Sequence, residues 1–563
     1  MKKRIPIGIE FYKRIVDDHY YYVDKTLLLK DLLEKGGQVN LFTRPRRFGK
    51  TLALTMIQTF FEDERDSFGN HLDTRHYFND TAIEAAGETY MQHQGQYPVI
   101  FMTLKSAKQP TFADAYWVMK NSIIQQFEHF SYILDSKKLG TSEQTLYRKI
   151  MNDEAERSAY ATSLGFLCNC LEKHFDKKAI LLLDEYDVPL ENAFYQGFYD
   201  EMSSFVRSLF ESALKTNDSL AFAVITGCLR ISRESIFTGL NNLTINSILS
   251  ADYGEYFGFT PVEVERMLDY YQLDSKKEEA RTWYDGYLFG NSEVYNPWSI
   301  INYVREACAD IHTLPKPYWS NTSSNQVVRD LIEQADVSTR QEIEKLINGA
   351  CIEKPLHEDI TYDAIHKNMD NLWNFLFFTG YLKKCGERLD QENIYTTLTI
   401  PNAEIRYIYR NTILSWFDDE IGKKDFTRLY KAILEQDCET MGNIISEQLM
   451  ETISFFDYAE SYYHGFMAGL LKGMKGYLVQ SNRESGLGRS DIILKEMKFR
   501  GRAFIMEYKI AQNFSEMNML AQKALKQIHS MSYETDLRNE GVSDIIKYGI
   551  CFCKKGCVVC SDQ

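Results

Sequence analysis

The sequence predicts an α/β protein that begins with a parallel sheet carrying helices on both faces and ends in a second α/β domain. Two observations support this fold class. Short apolar runs of strand type alternate with segments of helical periodicity, at 39–42, 97–104, 179–183 and 220–225. Two further strand-like runs, DIIL and AFIMEYKI, lie near the C-terminus behind a helical stretch. We therefore predict three domains, 1–310, 311–430 and 431–563, of which the middle one is a helical connector with one short strand pair near 381–400.

Length and composition are those of a multidomain globular protein. A chain of 563 residues is too long for one core, and its hydrophobic content of 44% and charged content of 25% are ordinary. No apolar run approaches the ~20 residues that span a membrane, and Glu10 and Lys13 interrupt the basic N-terminus. The eleven cysteines fit reduced thiols better than a disulfide framework. We therefore expect a cytoplasmic protein without a membrane partner.

Residues 38–62, QVNLFTRPRRFGKTLALTMIQTFFE, carry the pattern of a phosphate-binding loop. A short strand leads into a turn that ends in Gly49, Lys50 and Thr51, and a helical pattern starts at Lys50. In such a loop, backbone N–H groups of the turn and of the helix N-terminus face the phosphates. We expect Lys50 to reach the β- and γ-phosphates of ATP and the Thr51 hydroxyl to bind Mg²⁺. Strand, turn and helix together predict the parallel sheet of a P-loop NTPase.

The loop departs from the standard pattern at its start. G-x-x-x-x-G-K-[ST] has a glycine where this chain has Arg44, and Arg46 and Arg47 follow. One interpretation makes all three arginines a solvated basic turn. The other counts Arg46 and Arg47, with Gly49, among the nucleotide-binding residues.

The third predicted strand closes on an acidic pair, Asp184 and Glu185, as a Walker B strand does. A parallel strand carries its last residues to the carboxyl edge of the sheet, where the phosphates bind. We expect Asp184 to hold the Mg²⁺ shell and Glu185 to polarise the attacking water. The alternative is a buried strand that ends in an ordinary turn. Asp187 is expected to cap the next helix rather than to contact the metal.

The fourth predicted strand ends at Thr226 and leads into CLRISRESIFTGLNNL. A polar residue at this position can sense the γ-phosphate from the neighbouring strand, and we assign this role to Thr226. Arg230 and Arg233 are candidates for phosphate-sensing or intersubunit arginines, since a guanidinium suits phosphate oxygens. A solvated helix face is the alternative for each of them.

Six segments together resemble the AAA-ATPase-like family of bacterial proteins: IPIGIEFYKRI, YYVDKT, RPRRFGKTL, LLLDEYDVPL, TGCLRISRESIFTGLNNL and WYDGYLFGNSEVYNPWSIINY. The resemblance covers residues 1–310. In that family an arginine-rich RPRRFGK[ST] loop is the usual P-loop form, so the resemblance implies an ATP-binding loop despite Arg44. ATPases of this type often complete their sites with a neighbour's arginine, which leaves a homo-oligomer open.

A second candidate site lies on the two C-terminal strands. Asp491 begins DIIL, and Glu507 and Lys509 stand two residues apart in AFIMEYKI. Alternate residues of a strand share a face, so Glu507 and Lys509 point the same way and a paired Asp491 can join them. Two carboxylates suit Mg²⁺ or Mn²⁺, beside which Lys509 would orient or activate a water molecule. The alternative is a surface hairpin with a salt bridge.

GLGRSDIIL and IMEYK resemble the PD-(D/E)XK nuclease domain that commonly follows this type of ATPase, over residues 435–555. The resemblance implies Glu460 as an additional acidic metal-site residue and places Gln527 in the helix after the core. Ser490 stands where the nominal motif has its proline. The implied activity is metal-dependent cleavage of nucleic-acid phosphodiesters, and we expect DNA rather than RNA as the partner.

The net charge and its local distribution affect whether the chain can bind nucleic acid. The net charge of −15 repels nucleic acid overall, so binding requires a local basic surface. Residues 483–529 hold nine Lys/Arg against five Asp/Glu, which predicts a positive groove, although a solvated helix and hairpin are the alternative. Two other functions stay open: a nucleotide-switched module that holds nucleic acid or protein without cutting, and an ATPase whose nuclease-like domain mediates oligomer contacts.

Four cysteines close the chain, at 551, 553, 557 and 560. Zinc knuckles usually pair cysteines as C-x₂₋₄-C, and the first spacing here is tighter. We therefore predict buried strand thiols rather than a zinc site.

Overall fold

The computed structural model describes residues 2–66, 68–230, 236–237, 240–320, 337–357, 369–390, 393–410, 425–451, 460–485, 488–498, 501–531 and 533–562. The chain divides into two compact units. The first unit is Met1–Asn325 with Cys351–Tyr407, and the second is Gln326–Ala350 with Ile408–Gln563. The segment expected to be a connector, 311–430, is thus divided between the two units, and the three domain boundaries stay a prediction.

The first unit is built on a five-stranded sheet. Its strands are β1 (Val39–Thr43), β2 (Val99–Thr103), β3 (Ala179–Asp184), β4 (Leu220–Gly227) and β5 (Leu243–Asn246), in the order β2-β3-β4-β1-β5. Every pairing in this sheet is parallel. Four of the strands coincide with the predicted apolar runs. The pattern does not predict β5, since LTIN is short and half polar. The predicted P-loop NTPase sheet is confirmed.

Two smaller groups of strands complete the first unit. They are a hairpin of β6 (Tyr287–Phe289) and β7 (Ser292–Val294), and an antiparallel sheet of β8 (Ile352–Pro355), β9 (Lys383–Asp390) and β10 (Asn393–Thr399), in the order β8-β10-β9. The last two strands are the pair expected near 381–400. The sequence pattern does not predict β8.

The second unit contains a mixed sheet. Its strands are β11 (Tyr477–Ser485), β12 (Gly488–Glu496), β13 (Ala503–Ile510), β14 (Ile545–Cys553) and β15 (Gly556–Ser561), in the order β11-β12-β13-β14-β15. Only β13 and β14 pair in parallel, and the other neighbours are antiparallel. A parallel pair needs a crossover connection, which here contains a helix. The C-terminal α/β domain is confirmed as well.

The helices follow in chain order: α1 (Tyr12–Asp17), α2 (Leu27–Lys35), α3 (Lys50–Phe61), α4 (Ala82–Ala85), α5 (Glu88–Met91), α6 (Phe112–His129), α7 (Thr141–Met151), α8 (Arg157–Ala161), α9 (Ser163–Phe175), α10 (Val188–Gln196), α11 (Tyr199–Leu214), α12 (Pro261–Tyr271), α13 (Lys277–Tyr284), α14 (Pro297–Ala309), α15 (Val337–Ile347), α16 (Met369–Phe378), α17 (Thr427–Glu435), α18 (Cys438–Glu451), α19 (Glu460–Lys472), α20 (Met517–Ser530) and α21 (Thr535–Asn539). None of the helices in the described ranges has both the length and the apolar character that a bilayer crossing requires.

The parallel sheet positions the first site because it is covered on both faces. All six residues of β3 are buried, as expected for a central strand with helices on either side. Helices α3 and α9 both contact β3. The polar residues of β3 and β4, Asp184 and Thr226, both lie at the carboxyl ends of their strands.

Strand β13 positions the second site because its side chains alternate between the two faces of the sheet. Phe504, Met506 and Tyr508 pack in a cluster with residues of α17, α18 and α19, whereas Ala503 and Ile505 pack with residues of α20 and α21. Residues two apart in a strand share a face, so Glu507 and Lys509 belong to the α20 side.

The C-terminal cysteines lie on both faces of the same sheet. Cys551 and Cys553 pack with residues of α20, and Cys557 packs in the cluster on the opposite face. All eleven cysteines are free thiols. In the described part of the chain, no three His, Cys, Asp or Glu side chains gather in an arrangement that could hold a metal. Cys551, Cys553 and Cys557 are buried strand thiols, as predicted, and Cys560 is partly buried.

We expect Gly549→Ala to loosen the contact between β14 and α20. The added Cβ would collide with the carbonyl oxygen of Ala521 and lie 2.6 Å from the Leu525 nitrogen. Both are backbone atoms of α20, and moving them costs free energy of packing. Hydrogen–deuterium exchange of peptides covering Ile545–Cys553 should become faster. Gly386→Ala is the control, since its Cβ would meet only Thr397 at 3.6 Å or more. Unchanged protection of β14 in Gly549→Ala would contradict the described packing.

Candidate functional sites

The turn between β1 and α3 is the candidate phosphate-binding loop, and its lysine lies inside it. Gly49 has a left-handed backbone (φ +82°) and directly precedes α3, whose first residues are Lys50 and Thr51. Lys50 is only 4% exposed, and its Nζ donates to the carbonyl oxygens of Arg44 and Pro45, both at 3.0 Å. The ammonium group thus lies inside the loop that it would use to hold phosphates.

Asp184 connects this loop to the neighbouring strands. The Thr51 hydroxyl donates to Asp184 Oδ2 at 2.8 Å, and the Thr226 hydroxyl donates to Asp184 Oδ1 at 2.7 Å. Asp184 is fully buried, and burial raises the pKa of its carboxyl while the two hydrogen bonds oppose that rise. Three residues assigned from three separate sequence segments therefore meet at the carboxyl edge of the sheet.

Arg44 corrects the interpretation of a wholly solvated basic turn. Its side chain is fully buried, with the guanidinium carbon 5.1 Å from the Phe257 ring centroid and 5.3 Å from that of Phe289. Its Nη1 donates to the carbonyl oxygens of Thr43 (2.9 Å) and Asn246 (2.7 Å). Burial lowers the pKa of Arg44 to about 9. The arginine that replaces the first P-loop glycine is a packing residue between loop and β5.

The other two loop arginines differ from Arg44 and from each other. Arg46 is partly buried and pairs with Glu191 at 2.6 Å. Arg47 is exposed, has a left-handed backbone (φ +71°), and its guanidinium carbon lies 4.4 Å from the Trp298 ring centroid. Only Arg47 fits the description of a solvated turn residue.

The segment after β3 carries two acids with different environments. Glu185 is partly exposed and has a left-handed backbone (φ +50°). Asp187 is 2% exposed, and its Oδ2 accepts hydrogen bonds from the backbone nitrogens of Cys228 (2.7 Å) and Leu229 (3.1 Å). Burial raises the pKa of Asp187 to about 6. Asp187 occupies the N-cap position of α10, as expected, but its side chain makes no cap hydrogen bond there.

A small cleft opens beside these groups. Its lining residues are Arg46, Asp187, Glu191, Cys228, Leu229, Phe375 and Thr379. Lys50 adjoins it, since its Nζ lies 3.6 Å from Cys228 Sγ. Arg230 follows Leu229 and is half-buried, whereas Arg233 lies outside the described residues.

The second candidate site joins β12, β13 and α20. Strand pairing sets Ile492 opposite Met506, and the next pair in this register is Asp491 with Glu507. Lys509 Nζ lies 3.6 Å from Glu507 Oε1, and Asp491 Oδ2 accepts a hydrogen bond from the Tyr508 nitrogen at 2.7 Å. The two predicted carboxylates and the predicted lysine are therefore neighbours.

Glu507 is the buried centre of this site. It is 3% exposed, and burial together with the charge of Asp491 raises its pKa to about 7, against the opposing effect of Lys509. Gln527 of α20 donates to Oε1, while Oε2 has no hydrogen-bond partner among the described residues. Two repelling carboxylates with a free buried oxygen fit a divalent cation, whose ligands are oxygen atoms.

Sequence reasoning assigned Gln527 to the correct helix but not to a contact with Glu507. Tyr533, whose hydroxyl lies 3.4 Å from Gln527 Nε2, is missed altogether. Glu460 is the first residue of α19. Because no group of three metal-binding side chains occurs within the described ranges, Glu460 as a metal-site residue stays a prediction.

The basic segment 483–529 is less free than its composition indicates. Lys495 pairs with Glu540, Arg502 with Asp544 at 2.6 Å, and Lys498 with Glu496 at 2.7 Å. Two of these three acids lie beyond the counted segment. Lys523 and Lys526 are exposed on α20, whereas Arg500 lies outside the described residues. The paired acids offset part of the positive charge counted in 483–529, and the positive groove stays a prediction.

The fold and these sites define a class of protein: a P-loop NTPase domain followed by a nuclease-fold domain. The family model described as "Predicted AAA-ATPase" matches residues 6–237, and that of the "PD-(D/E)XK nuclease superfamily" matches residues 458–562. Residues 6–237 are thus similar to the AAA-ATPase family model and residues 458–562 to that of the PD-(D/E)XK nuclease superfamily, and both predicted resemblances are confirmed.

One relative is similar along nearly its whole length. It is a protein of Azotobacter chroococcum mcd 1 named "Uncharacterized protein in vnfD 5'region", 24% identical over 558 residues. The similarity covers 96% of this chain and 95% of the relative, so it includes both matched domains and the segment between them.

We expect Arg44→Gly, which restores the standard glycine, to destabilise the protein by about 2 kcal/mol or more. The change removes a buried side chain from between two aromatic rings and breaks its two bonds to carbonyl oxygens. Arg47→Gly is the matched control. Its loss of the Trp298 contact is offset by the preference of glycine for a left-handed backbone, so stability should change by less than about 0.5 kcal/mol. Thermal unfolding without nucleotide measures both, and equal melting temperatures for Arg44→Gly and wild type would contradict the packing role.

Proposed function

We propose that the chain hydrolyses ATP at the P-loop site and, coupled to this, cleaves nucleic-acid phosphodiesters at the Asp491–Glu507–Lys509 site with Mg²⁺ or Mn²⁺. The observation that carries the nuclease assignment is the buried Glu507, which faces Asp491, adjoins Lys509 and keeps one carboxylate oxygen without a hydrogen bond. A surface salt bridge would not bury its acid at a pKa near neutrality.

At the first site the residues have distinct proposed roles. Lys50 exchanges its two carbonyl partners for the β- and γ-phosphate oxygens of ATP. Thr51 and Asp184 hold Mg²⁺, and their 2.8 Å hydrogen bond supports the assignment because both oxygens already share one small volume. Glu185 polarises the attacking water. The backbone nitrogens of Gly49, Lys50 and Thr51 bind phosphate at the N-terminus of α3.

Three further residues serve the nucleotide in this proposal. Thr226 senses the γ-phosphate through the Asp184 carboxylate that it binds. Arg46 and Arg47 contribute positive charge at the loop. The ion pair with Glu191 offsets part of the charge of Arg46. Arg230 contacts phosphate, either in its own subunit or across a homo-oligomer.

At the second site, Asp491 and Glu507 bind the divalent ion, with Glu460 as the additional acidic residue. A bound ion at either site supplies positive charge against phosphate oxygens and lowers the pKa of a coordinated water. Lys509 positions the nucleophilic water and the phosphate, and Gln527 holds the Glu507 carboxylate in place. The free thiols and the sequence features noted above support a cytoplasmic location, and DNA is the proposed nucleic acid.

A non-cleaving, nucleotide-switched binding module is the second candidate. Retention of both carboxylates and the lysine favours cleavage, because a site that only binds nucleic acid has no need to bury Glu507.

The proposed function is tested with the purified full-length chain on single- and double-stranded DNA and RNA, with and without ATP. Lys50→Ala and Glu185→Ala should lower ATP hydrolysis about 100-fold or more, since each removes a group that acts on the transferring phosphate. Asp491→Ala, Glu507→Ala and Lys509→Ala should abolish cleavage in Mg²⁺ or Mn²⁺ while ATP hydrolysis continues. Lys509→Ala serves as the blank for contaminating nucleases. Nucleic-acid binding without cleavage by wild type under all conditions would establish the second candidate instead.

We also expect the affinity for Mn²⁺ at the second site to rise about tenfold between pH 6 and pH 8. The pKa of Glu507 is raised to about 7, so below that pH a bound proton competes with the metal, and above it the carboxylate is free to bind. Titration calorimetry of wild type measures the rise. Glu507→Gln cannot lose a proton at this position, so subtracting its binding isolates the site. An affinity that stays constant from pH 6 to pH 8 would contradict this role for Glu507.

A further inference from the structure

Asp187 is held by one oxygen only. Its Oδ2 accepts two backbone hydrogen bonds from the segment after β4, at Cys228 and Leu229. That segment is further fixed by the Tyr186 hydroxyl, which donates to the Leu229 carbonyl oxygen at 2.7 Å. The carboxylate therefore has a rigid position set by the ends of β3 and β4.

The other oxygen, Oδ1, has no hydrogen-bond partner in the part of the chain that the structure describes. The residue is 2% exposed and lines the cleft beside the P-loop, together with Arg46 and Cys228. A buried carboxylate oxygen without a partner costs free energy, so a structural role alone leaves Oδ1 unexplained. A fold that needed only the two backbone contacts could use a neutral asparagine.

The surroundings of Oδ1 match those of a group that faces the terminal phosphate. Lys50 Nζ lies 3.6 Å from Cys228 Sγ, and the Cys228 nitrogen donates to the same Asp187 carboxylate. A Cβ placed on Gly227 would lie 2.9 Å from Oδ1, and Gly227 pairs with Thr43, the last residue of β1 before the loop. The carboxylate is thus at the corner where the loop, β4 and the cleft meet.

Glu185 lacks this fixation. Its side chain makes no hydrogen bond among the described residues, and it is partly exposed. Preorganised groups contribute most to catalysis because they need no reorientation during the reaction. Asp187 is the better preorganised of the two acids.

We propose that Asp187 is a catalytic residue of ATP hydrolysis, whose Oδ1 binds and orients the attacking water beside Lys50. This inference rests on the proposed ATPase activity. In the step, the water oxygen forms a bond to the γ-phosphorus, and the bond from that phosphorus to the β,γ-bridging oxygen breaks with its electron pair remaining on ADP. The water proton is taken up by Oδ1 and passes to the released phosphate. Glu185 assists from the more exposed side.

The test compares steady-state ATP hydrolysis by wild type, Asp187→Asn and Asp218→Asn in the full-length chain. The asparagine keeps an oxygen that accepts from Cys228 and Leu229 but loses the charge. We expect kcat to fall about 100-fold, with KM and ATP binding within about threefold of wild type. Asp218 is exposed and undergoes the same chemical change, so Asp218→Asn should match wild type.

Three outcomes would overturn the inference in distinguishable ways. An unchanged kcat in Asp187→Asn removes the catalytic role while leaving the ATPase intact. A loss of kcat that comes with an equal loss of ATP affinity and a lower melting temperature assigns Asp187 a structural role. Absence of Lys50-dependent ATP hydrolysis in wild type removes the ATPase function itself, and this inference with it.

A second measurement uses wild type and so does not depend on how the variant folds. In a crystal structure with ADP, Mg²⁺ and aluminium fluoride, the water in line with the leaving oxygen should lie about 3 Å from Asp187 Oδ1. A separation greater than about 5 Å would overturn the proposal.

Discussion

The proposed nucleotide site depends on one buried carboxylate. Asp184 is fully buried and has both oxygens occupied by hydroxyl donors, from Thr51 at the start of α3 and from Thr226 at the end of β4. Since an unpaired buried carboxylate is expensive, these two bonds specify how the loop, β3 and β4 are placed relative to one another. The parallel sheet makes the arrangement available because it brings all carboxyl ends to one edge. Lys50, held by its own loop carbonyls, completes the site from the same edge.

The second site also brings charged side chains together, but through a different arrangement of strands. An antiparallel pair sets Asp491 against Glu507, and strand alternation adds Lys509 on the same face. Burial of Glu507, together with the like charge of Asp491 beside it, raises the pKa of Glu507 to about 7. The contact from Gln527 holds Glu507 in this unfavourable position through α20, whose packing on β14 requires a glycine at 549. The crossover helix is therefore part of the site as well as part of the core.

Sequence patterns predict those features that depend on chain direction and alternation. The four apolar strands, the meeting of Thr51 with Asp184, and the shared face of Glu507 and Lys509 follow from such rules, and so each was predicted. Burial in irregular segments follows no sequence period, so the burial of Arg44 and Asp187 was not predicted. A loop arginine between Phe257 and Phe289 depends on residues some 200 positions away. The charge count over 483–529 is incomplete for a related reason, because Glu540 and Asp544 form ion pairs with that segment from outside it.

One property separates the two sites from the rest of the described chain. Among those residues, only two buried carboxylate oxygens lack a hydrogen-bond partner, Asp187 Oδ1 and Glu507 Oε2. By contrast, the buried carboxylates of Asp184, in the first site, and of Glu404, outside both sites, are satisfied by hydroxyl or backbone donors. Folding stability alone selects against an unpaired buried oxygen, because the cost of removing it from water is not recovered.

Such an oxygen persists where a ligand that is not part of the chain completes its hydrogen bonding or coordination. The ligand proposed for Glu507 is a divalent cation, and the one proposed for Asp187 is a water molecule. Each unpaired oxygen lies beside a lysine that can hold a phosphate, so both point to chemistry at a phosphorus centre.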